Sequence, residues 1–196
     1  GFAAKVDYAA CNGTHEVALG DLDGDDDLDV VAACWGGLVN VLLGSGDGSL
    51  GPKTNVVAGS APHSVVLGHF DADAILDAAV ANHGNRTVSI LIGVGDGSFE
   101  PQVSYAVGTK PHSIRAGDLD GNGTLDLVTA NDGSHDVSIL SGNGDGTFAA
   151  AASYPTGNVP KGVAIADVSG DGVLDVLTAN TAGSYPTCCQ VGGDTI

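Results

Sequence analysis

The chain has 196 residues, and its 24 acidic and 6 basic side chains give a formal net charge of −18. This balance excludes a nucleic-acid-binding protein, because the six basic residues are scattered singly and cannot form a basic patch. The hydrophobic content of 43% excludes a disordered acidic tail. The sequence has no run of 18 apolar residues, so we expect no membrane insertion.

The predicted elements begin with residues 1–10, which match the fourth strand of the repeats that follow. A nine-residue acidic phrase then occurs four times, starting at positions 21, 69, 118 and 167, which are 48, 49 and 49 residues apart. A fixed period of this length predicts a repeat array, because units of this size must stack to bury their apolar faces. We name the copies acidic loops 1 to 4, and they cover residues 21–29, 69–77, 118–126 and 167–175.

Each unit contains four short segments that are typical of strands. A short apolar run precedes the acidic loop, and a buried, β-branched run follows it. A polar turn leads to the third segment and a glycine-rich turn to the fourth. Four antiparallel strands in about 49 residues indicate a blade of a β-propeller, so we predict an all-β fold. The segments are 65–67, 76–81, 87–92 and 99–105 in the second unit, and 114–116, 125–130, 136–140 and 148–154 in the third.

The units are predicted to form a single array over residues 1–196. About four repeats are visible, and Thr195 aligns with the opening of a third strand in the last one. The last blade would then lack its third strand. We expect a partial ring, or a ring that a strand from a neighbouring molecule completes, because bare sheet edges pair readily. The units cover residues 11–59, 60–108 and 109–157, with an incomplete unit at 158–196.

The acidic loops carry oxygen donors at alternating positions, as Ca²⁺ requires. Four bound Ca²⁺ ions would reduce the net charge from −18 to −10. Positions 1, 3, 5 and 9 are predicted to supply side-chain oxygens, and position 7 a backbone carbonyl oxygen. Without a cation these carboxylates would repel one another. The predicted ligands are Asp21, Asp23, Asp25, Asp27 and Asp29 in loop 1, Asp118, Asp120, Asn122, Thr124 and Asp126 in loop 3, and Asp167, Ser169, Asp171, Val173 and Asp175 in loop 4.

Acidic loop 2 departs from this pattern. His69 takes position 1 and alanines take positions 4 and 6, while Asp71, Asp73 and Asp77 remain as candidate ligands. We therefore expect three calcium sites and a fourth that is weak or absent, and His69 raises the alternative of a transition-metal site. An EF-hand is excluded, because position 12 is not Glu and no helices flank the loops.

Four cysteines allow three pairings. Cys11 precedes the first inner strand and Cys34 follows the next strand, so a Cys11–Cys34 disulfide is predicted at one end of an antiparallel pair. Cys188 and Cys189 can bridge each other or pair elsewhere, and four free thiols are the alternative. Disulfides would indicate an oxidising, extracellular setting.

A row of histidines follows the same period. His15, His63 and His112 lie at the entry to the innermost strand, and Lys161 takes this position in the fourth unit. Such a row near the axis can bind an anion or a metal. Solvent-facing turn residues are the simpler interpretation, and we favour it.

The repeated phrase resembles the FG-GAP/VCBS repeats of integrin-α-type β-propellers. The matching residues are the acidic loops, the segments 128–131 and 177–180 that follow two of them, and the glycine-rich turn 142–148. The resemblance implies a secreted or cell-surface propeller, commonly of seven blades, in which loop-bound calcium serves the structure. Members of this family act in adhesion, bind glycans as lectins or decorate larger secreted proteins.

No catalytic constellation is present in the sequence, and we expect that the protein is not an enzyme. The first hypothesis is a calcium-binding, non-catalytic extracellular module with a structural or adhesion role, whose partner is a protein or glycan ligand at the cell surface. The second is a carbohydrate-binding lectin, for which only Trp35 and Tyr185 lie in variable turns. The third is a subunit of a fibre or oligomer that self-associates through an open blade edge by strand complementation.

Overall fold

The computed structural model describes residues 4–181 and the backbone of residues 188–191. This part of the chain is all-β, as the sequence predicts, and forms three four-stranded antiparallel sheets and one three-stranded sheet. Each sheet is one blade, with its strands in chain order. No helix within the described residues is long and apolar enough to cross a membrane.

The strand bounds repeat from blade to blade. Blade 1 contains β1 (Thr14–Gly20), β2 (Asp29–Cys34), β3 (Leu38–Leu42) and β4 (Thr54–Val57). Blade 2 contains β5 (Pro62–Gly68), β6 (Asp77–Asn82), β7 (Thr87–Leu91) and β8 (Val103–Ala106). Blade 3 contains β9 (Pro111–Gly117), β10 (Asp126–Asn131), β11 (Asp136–Leu140) and β12 (Ala152–Pro155). Blade 4 contains β13 (Pro160–Ala166), β14 (Asp175–Asn180) and β15 (Cys188–Val191).

The first strands of the blades lie next to one another and line the inside of the array. β1 contacts β5, β5 contacts β9, and β9 contacts β13. The second strands β6 and β10 are buried at every residue, because neighbouring strands flank them and neighbouring blades cover both faces. Short runs of small and β-branched apolar residues fit such a position.

The fourth strands are shorter than the sequence predicts. In blade 2 the strand begins at Val103 instead of residue 99, because the chain before it closes the glycine-rich turn, where Glu100 N donates to Ile92 O at 2.8 Å. Phe99 instead forms an isolated bridge with Gly93 across the glycine-rich turn. Blade 3 repeats this arrangement with a bridge between Gly142 and Phe148.

Apolar side chains between the blades form three cores, each shared by two neighbouring blades. A glycine at the end of a first strand makes room for the leucine at position 8 of the next acidic loop. A β-carbon on Gly68 would lie 2.8 Å from Leu125 Cδ1, and one on Gly117 would lie 3.1 Å from Leu174 Cδ1. The absence of these side chains therefore sets how closely the blades approach.

The two ends of the described array expose positions that are buried between blades elsewhere. Val17 and Leu28 of blade 1 are 53% and 62% exposed, whereas Val65, the equivalent of Val17 in blade 2, is 3% exposed. At the other end, Val168 is 54% exposed, whereas its blade 1 equivalent Leu22 is 4% exposed. We call Val17, Leu19 and Leu28 the blade 1 end surface, and Val168 marks the blade 4 end surface. The ring is not closed within the described residues.

Two predictions about the chain ends are wrong. Residues 4–10 form no strand, because a fourth strand pairs with the third strand of its own blade and the described residues include no such partner for them. The third strand of blade 4 does not open at Thr195, because β15 already pairs with β14 at Cys188–Val191. Residues 182–187, which include Tyr185, and residues 192–196, which include Thr195, lie outside the described residues.

Candidate metal centre

The four acidic loops connect the first strand of each blade to its second strand, so all of them lie at the same edge of the array. The first residue of the phrase organises the loop. In acidic loop 3, Asp118 Oδ1 accepts hydrogen bonds from the backbone N–H groups of Gly121 at 2.8 Å and Asn122 at 3.1 Å, and Oδ2 accepts one from Gly123 at 2.9 Å. Asp21 and Asp167 make the corresponding bonds in loops 1 and 4.

Glycine at positions 4 and 6 allows this wrapping. Gly121 and Gly123 have φ angles of 75° and 87°, in the left-handed region that side chains disfavour. In loop 1, Asp26 takes position 6 with a φ of 68°. Desolvation opposes the effect, but the backbone N–H donors of Asp26, Gly24 and Asp25 hold the pKa of Asp21 below its ordinary value.

The aspartate at position 9 is buried in every blade and has a structural role that the sequence analysis missed. Asp126 Oδ2 accepts a hydrogen bond from Leu119 N at 2.9 Å, and its Oδ1 accepts one from Gly142 N at 2.9 Å. Asp126 thereby ties the acidic loop to the glycine-rich turn of the same blade. Burial, opposed by these two N–H donors, raises the pKa of Asp126. Asp29 and Asp77 make the same pair of bonds.

Carboxylates at positions 1, 3 and 9 converge in two of the loops. In each group, one ligand atom per residue lies within 4.8 Å of the others. Asp23 Oδ1 is buried and has no hydrogen-bond partner. Desolvation and the neighbouring Asp25 and Asp29 raise the pKa of Asp23. An unpartnered buried oxygen among like charges fits a bound cation, so these clusters can hold a metal ion. They are Asp21, Asp23 and Asp29 in loop 1, and Asp118, Asp120 and Asp126 in loop 3.

Positions 5 and 7 are joined by hydrogen bonds inside the loops. Asp25 Oδ1 accepts a hydrogen bond from Asp27 N at 2.9 Å. Asn122 Oδ1 accepts bonds from Thr124 N at 2.7 Å and Thr124 Oγ1 at 2.5 Å. These bonds fix the position 5 oxygens at the mouth of the loop. Asp25 Oδ1 retains a second lone pair, whereas both lone pairs of Asn122 Oδ1 accept hydrogen bonds from Thr124.

Acidic loop 4 has the same backbone course but a weaker donor set. Ser169 replaces the position 3 carboxylate, and Ser169 Oγ donates to Asp167 Oδ1 at 3.4 Å. Asp171 Oδ1 accepts a bond from Val173 N at 2.8 Å, as position 5 does in the other loops. Asp175 Oδ2 accepts hydrogen bonds from the N–H groups of Val168 and Ser169. Loop 4 is not among the convergent acidic groups of the described residues.

Acidic loop 2 contains an internal replacement for a cation. His69 Nδ1–H donates to the carbonyl oxygen of Ile75 at 2.9 Å. Ile75 is the position 7 residue, whose carbonyl is a predicted calcium ligand in the other loops. Asp71 and Asp73 accept hydrogen bonds from the backbone within the loop. The imidazole therefore engages a donor atom that calcium would need.

A cluster of aromatic rings lies at the opposite edge of the blades. The centroids of His15 and His63 are 4.2 Å apart, and those of His63 and His112 are 3.9 Å apart. His83 lies 5.7 Å from His63, and Trp35 lies 5.4 Å from His83. The sequence analysis favoured solvent-facing turn residues here, but His63, His83 and His112 are half-buried. Trp35, His83 and Asp132 recur at the 48–49-residue period, and this spacing was the signal that could have identified them.

Burial lowers the pKa of three histidines of this cluster, His63, His83 and His112. Burial first, and then repulsion from His112 and His15, lowers the pKa of His63 to about 4. Burial also lowers the pKa of His83 and of His112, although Asp132 opposes both shifts.

Beside the cluster, the structure contains the predicted Cys11–Cys34 disulfide, with a Cα–Cα distance of 6.0 Å.

The FG-GAP-like repeat family matches this chain at residues 69–129 and 118–178, which together span 110 of the 196 residues. No curated protein matches the chain. A solved structure of a lectin from Agrocybe aegerita, which specifically recognises non-reducing terminal N-acetylglucosamine, is similar with a TM-score of 0.56 and 23% identity. The similarity covers 87% of this chain and 48% of the lectin.

Two further solved structures are similar in fold. BBS1N in complex with ARL6DN has a TM-score of 0.61 and 14% identity, over 88% of this chain and 52% of that one. The Tc holotoxin pore of Photorhabdus luminescens has a TM-score of 0.52 and 19% identity, over 88% of this chain and 9% of that one. The chain thus spans about half the length of the lectin and BBS1N chains. At these identities the similarity shows the β-propeller fold alone.

Proposed function

Because this chain belongs to the FG-GAP-like repeat family, we propose that it is a non-catalytic, calcium-binding β-propeller module with a structural or adhesion role outside the cell. The observation that carries the calcium assignment is the pair of convergent carboxylate clusters, one of which contains the unpartnered buried oxygen of Asp23. The acidic side chains serve as ligands in this proposal and not as acid–base catalysts.

Calcium is the proposed ion because the donors are hard oxygens in flexible loops. Ca²⁺ takes six to eight oxygen ligands, including carboxylates and backbone carbonyls. Loops 1 and 3 would bind most tightly, since each gathers three carboxylates. Loop 4 would bind more weakly through Asp167, Asp171 and Asp175 with Ser169. Loop 2 would bind weakly or not at all, since His69 already occupies the Ile75 carbonyl.

Calorimetric titration of the chelator-treated protein with Ca²⁺ tests this proposal. We expect at least two equivalents to bind, and Asp120→Ala to remove one of the tighter ones. Asp145→Ala is the matched control, because Asp145 is exposed in a glycine-rich turn outside the acidic loops. Absence of heat at millimolar Ca²⁺, or an equal loss in the Asp145 variant, would refute the assignment.

A secreted or cell-surface location is part of this proposal. The Cys11–Cys34 disulfide supports it, because structural disulfides persist in oxidising compartments. The partner would be a protein or glycan ligand at the cell surface, and the similar lectin supports a glycan. A glycan-array screen at millimolar sugar separates the two kinds of ligand, since only the glycan-binding role predicts a signal.

Self-association is the second candidate function, and the two end surfaces favour it. Val17, Leu28 and Val168 are about half exposed or more, although the equivalent residues of neighbouring blades pack against the next sheet. β15 supplies the third strand of blade 4, so a neighbouring molecule does not need to provide this strand. A second copy would instead stack its blade 1 end surface on the blade 4 end surface of the first.

Size-exclusion chromatography with light scattering tests this candidate in the presence of Ca²⁺. We expect a mass of two or more chains at tens of micromolar protein, and a shift to the single chain in Leu28→Glu. Val103→Glu is the control, because Val103 is equally apolar and 54% exposed but lies on the outer strand β8. A wild-type protein that stays a single chain at all concentrations would rule out self-association.

A further inference from the structure

Four of the six histidines of the chain lie in one cluster far from the acidic loops. His15, His63 and His112 stand at the starts of the adjacent first strands, and His83 lies in the turn between β6 and β7. We call these four residues the histidine cluster. A seven-residue first strand separates this edge from the acidic loops, a distance of about 20 Å at the rise of a β-strand. The proposed calcium sites do not explain this concentration of imidazoles.

The spacing of the rings is compatible with a shared metal ion. A metal–nitrogen distance of about 2.0–2.1 Å places an imidazole centroid about 3.2 Å from the metal, so two ligating rings have centroids about 4.5–5.2 Å apart. His63 lies 4.2 Å from His15, 3.9 Å from His112 and 5.7 Å from His83, measured between centroids. Each of these separations from His63 is within about 1 Å of the required range, whereas the 6.5 Å between His83 and His112 exceeds it by about 1.3 Å, so binding must bring these two rings closer together.

The central histidine already has the second hydrogen bond that metal ligands commonly make. His63 Nδ1–H donates to the carbonyl oxygen of His112 at 2.8 Å. This bond fixes the tautomer and leaves Nε2 with a free lone pair, as in histidines whose other nitrogen binds a metal.

From this geometry we propose that the histidine cluster binds one divalent transition-metal ion of the class that prefers imidazole nitrogen, such as Zn²⁺, Ni²⁺ or Cu²⁺. The rings of His15, His83 and His112 are tilted by 31° to 45° against the ring of His63. Among the described residues, the side chains whose ligand atoms already converge are the aspartates of loops 1 and 3, and not these histidines. Binding therefore includes rotation of the imidazoles about their Cβ–Cγ bonds toward a common point. The first-strand backbones, which are paired in their sheets, stay in place.

The site selects against calcium by the chemistry of its donors. Neutral imidazole nitrogen suits Zn²⁺, Cu²⁺ and Ni²⁺, whereas Ca²⁺ requires oxygen. Asp132 is the acidic group that influences both His83 and His112, and the Lys161 ammonium also acts on both rings. The protein would thus carry two kinds of metal site, with oxygen donors at one edge of the blades and nitrogen donors at the other.

The only tryptophan of the chain makes this site directly observable. Trp35 lies 5.0 Å from His15 and 5.4 Å from His83 between ring centroids. We expect Cu²⁺ to quench the Trp35 fluorescence of the untagged, calcium-saturated protein with a stoichiometry of one. Calorimetry with Zn²⁺ under the same conditions should give one equivalent that excess Ca²⁺ does not displace.

Substitutions locate the ion. His63→Gln and His83→Gln should each weaken Zn²⁺ binding by about tenfold or more, whereas His135→Gln, at an exposed histidine outside the cluster, should leave it unchanged. Unchanged circular dichroism and calcium binding show that a variant is folded. Three results would overturn the proposal: no Zn²⁺ binding by the wild type, displacement of Zn²⁺ by Ca²⁺, or binding that His69→Gln abolishes while His83→Gln retains it.

Discussion

Chelation of calcium with EDTA is expected to lower the midpoint of thermal unfolding by about 10–20 °C. An ion at 100 times its dissociation constant stabilises the folded state by about 2.7 kcal/mol per site. Loops 1 and 3 together therefore contribute about 5 kcal/mol, and each kcal/mol shifts the midpoint by about 2–4 °C in a chain of this size. The carboxylates of each cluster, within 4.8 Å of one another, would repel once the cation is removed.

Differential scanning calorimetry with and without EDTA measures this shift. Excess Ca²⁺ should restore the original midpoint, whereas an equal concentration of Mg²⁺ should not, because Mg²⁺ demands a smaller octahedral shell. Asp120→Ala should reduce the size of the shift, since it disables loop 3 alone. An identical melting curve in EDTA would show that the acidic loops are stable without a cation.

Replacement of Asp126 by alanine is expected to lower the free energy of unfolding by about 3 kcal/mol or more. The substitution leaves the buried N–H groups of Leu119 and Gly142 without acceptors, and each unpaired buried group costs about 1–3 kcal/mol. It also removes one carboxylate from the loop 3 cluster. Urea unfolding in Ca²⁺ and in EDTA measures the two contributions.

Asp77→Ala is the matched variant for this experiment. Asp77 accepts the same two bonds, from Phe70 N and Gly93 N, each at 2.8 Å. It lies in acidic loop 2, which has no convergent carboxylate cluster. The two variants should lose similar stability in EDTA, and Asp126→Ala should lose more in Ca²⁺. Equal losses in both conditions would mean that Asp126 contributes hydrogen bonds alone.

The fold followed from the sequence because its signal is repeated. The 48–49-residue period and the apolar runs identify the first three strands of blades 2 and 3, and turn glycines identify the loops between them. The fourth strand was predicted too long, because Phe99 and Phe148 bridge back across the glycine-rich turn, and the apolar pattern does not distinguish this bridge from the strand itself. The strands predicted at the two ends of the chain were wrong for a related reason. A strand at the end of the array forms where a partner strand is present, and the local sequence pattern does not show that partner.

The site was predicted less completely than the fold. Alternating acids identify a cation loop, but they do not reveal that Asp126 also supports Gly142 from 16 residues away. Ser169 in loop 4 looks equivalent to Asp120 in sequence, whereas the convergent groups of the described residues are in loops 1 and 3. The ring contacts of His63 depend on the distance between blades, which no single unit encodes.

The glycine–leucine fit between blades gives the array a polarity. Gly20, Gly68 and Gly117 each leave room for a leucine from the blade that follows them, whereas Ala166 takes the equivalent position at the end of the first strand of blade 4. Leu28 is the corresponding leucine of blade 1, and it is 62% exposed because no blade of this chain packs against it. Because Ala166 has a β-carbon where the other blades leave room, copies that stack head to tail need a wider junction than the one between blades of the same chain. Such a stack gives a closed ring if the rotations sum to a full circle and a helical filament if they do not.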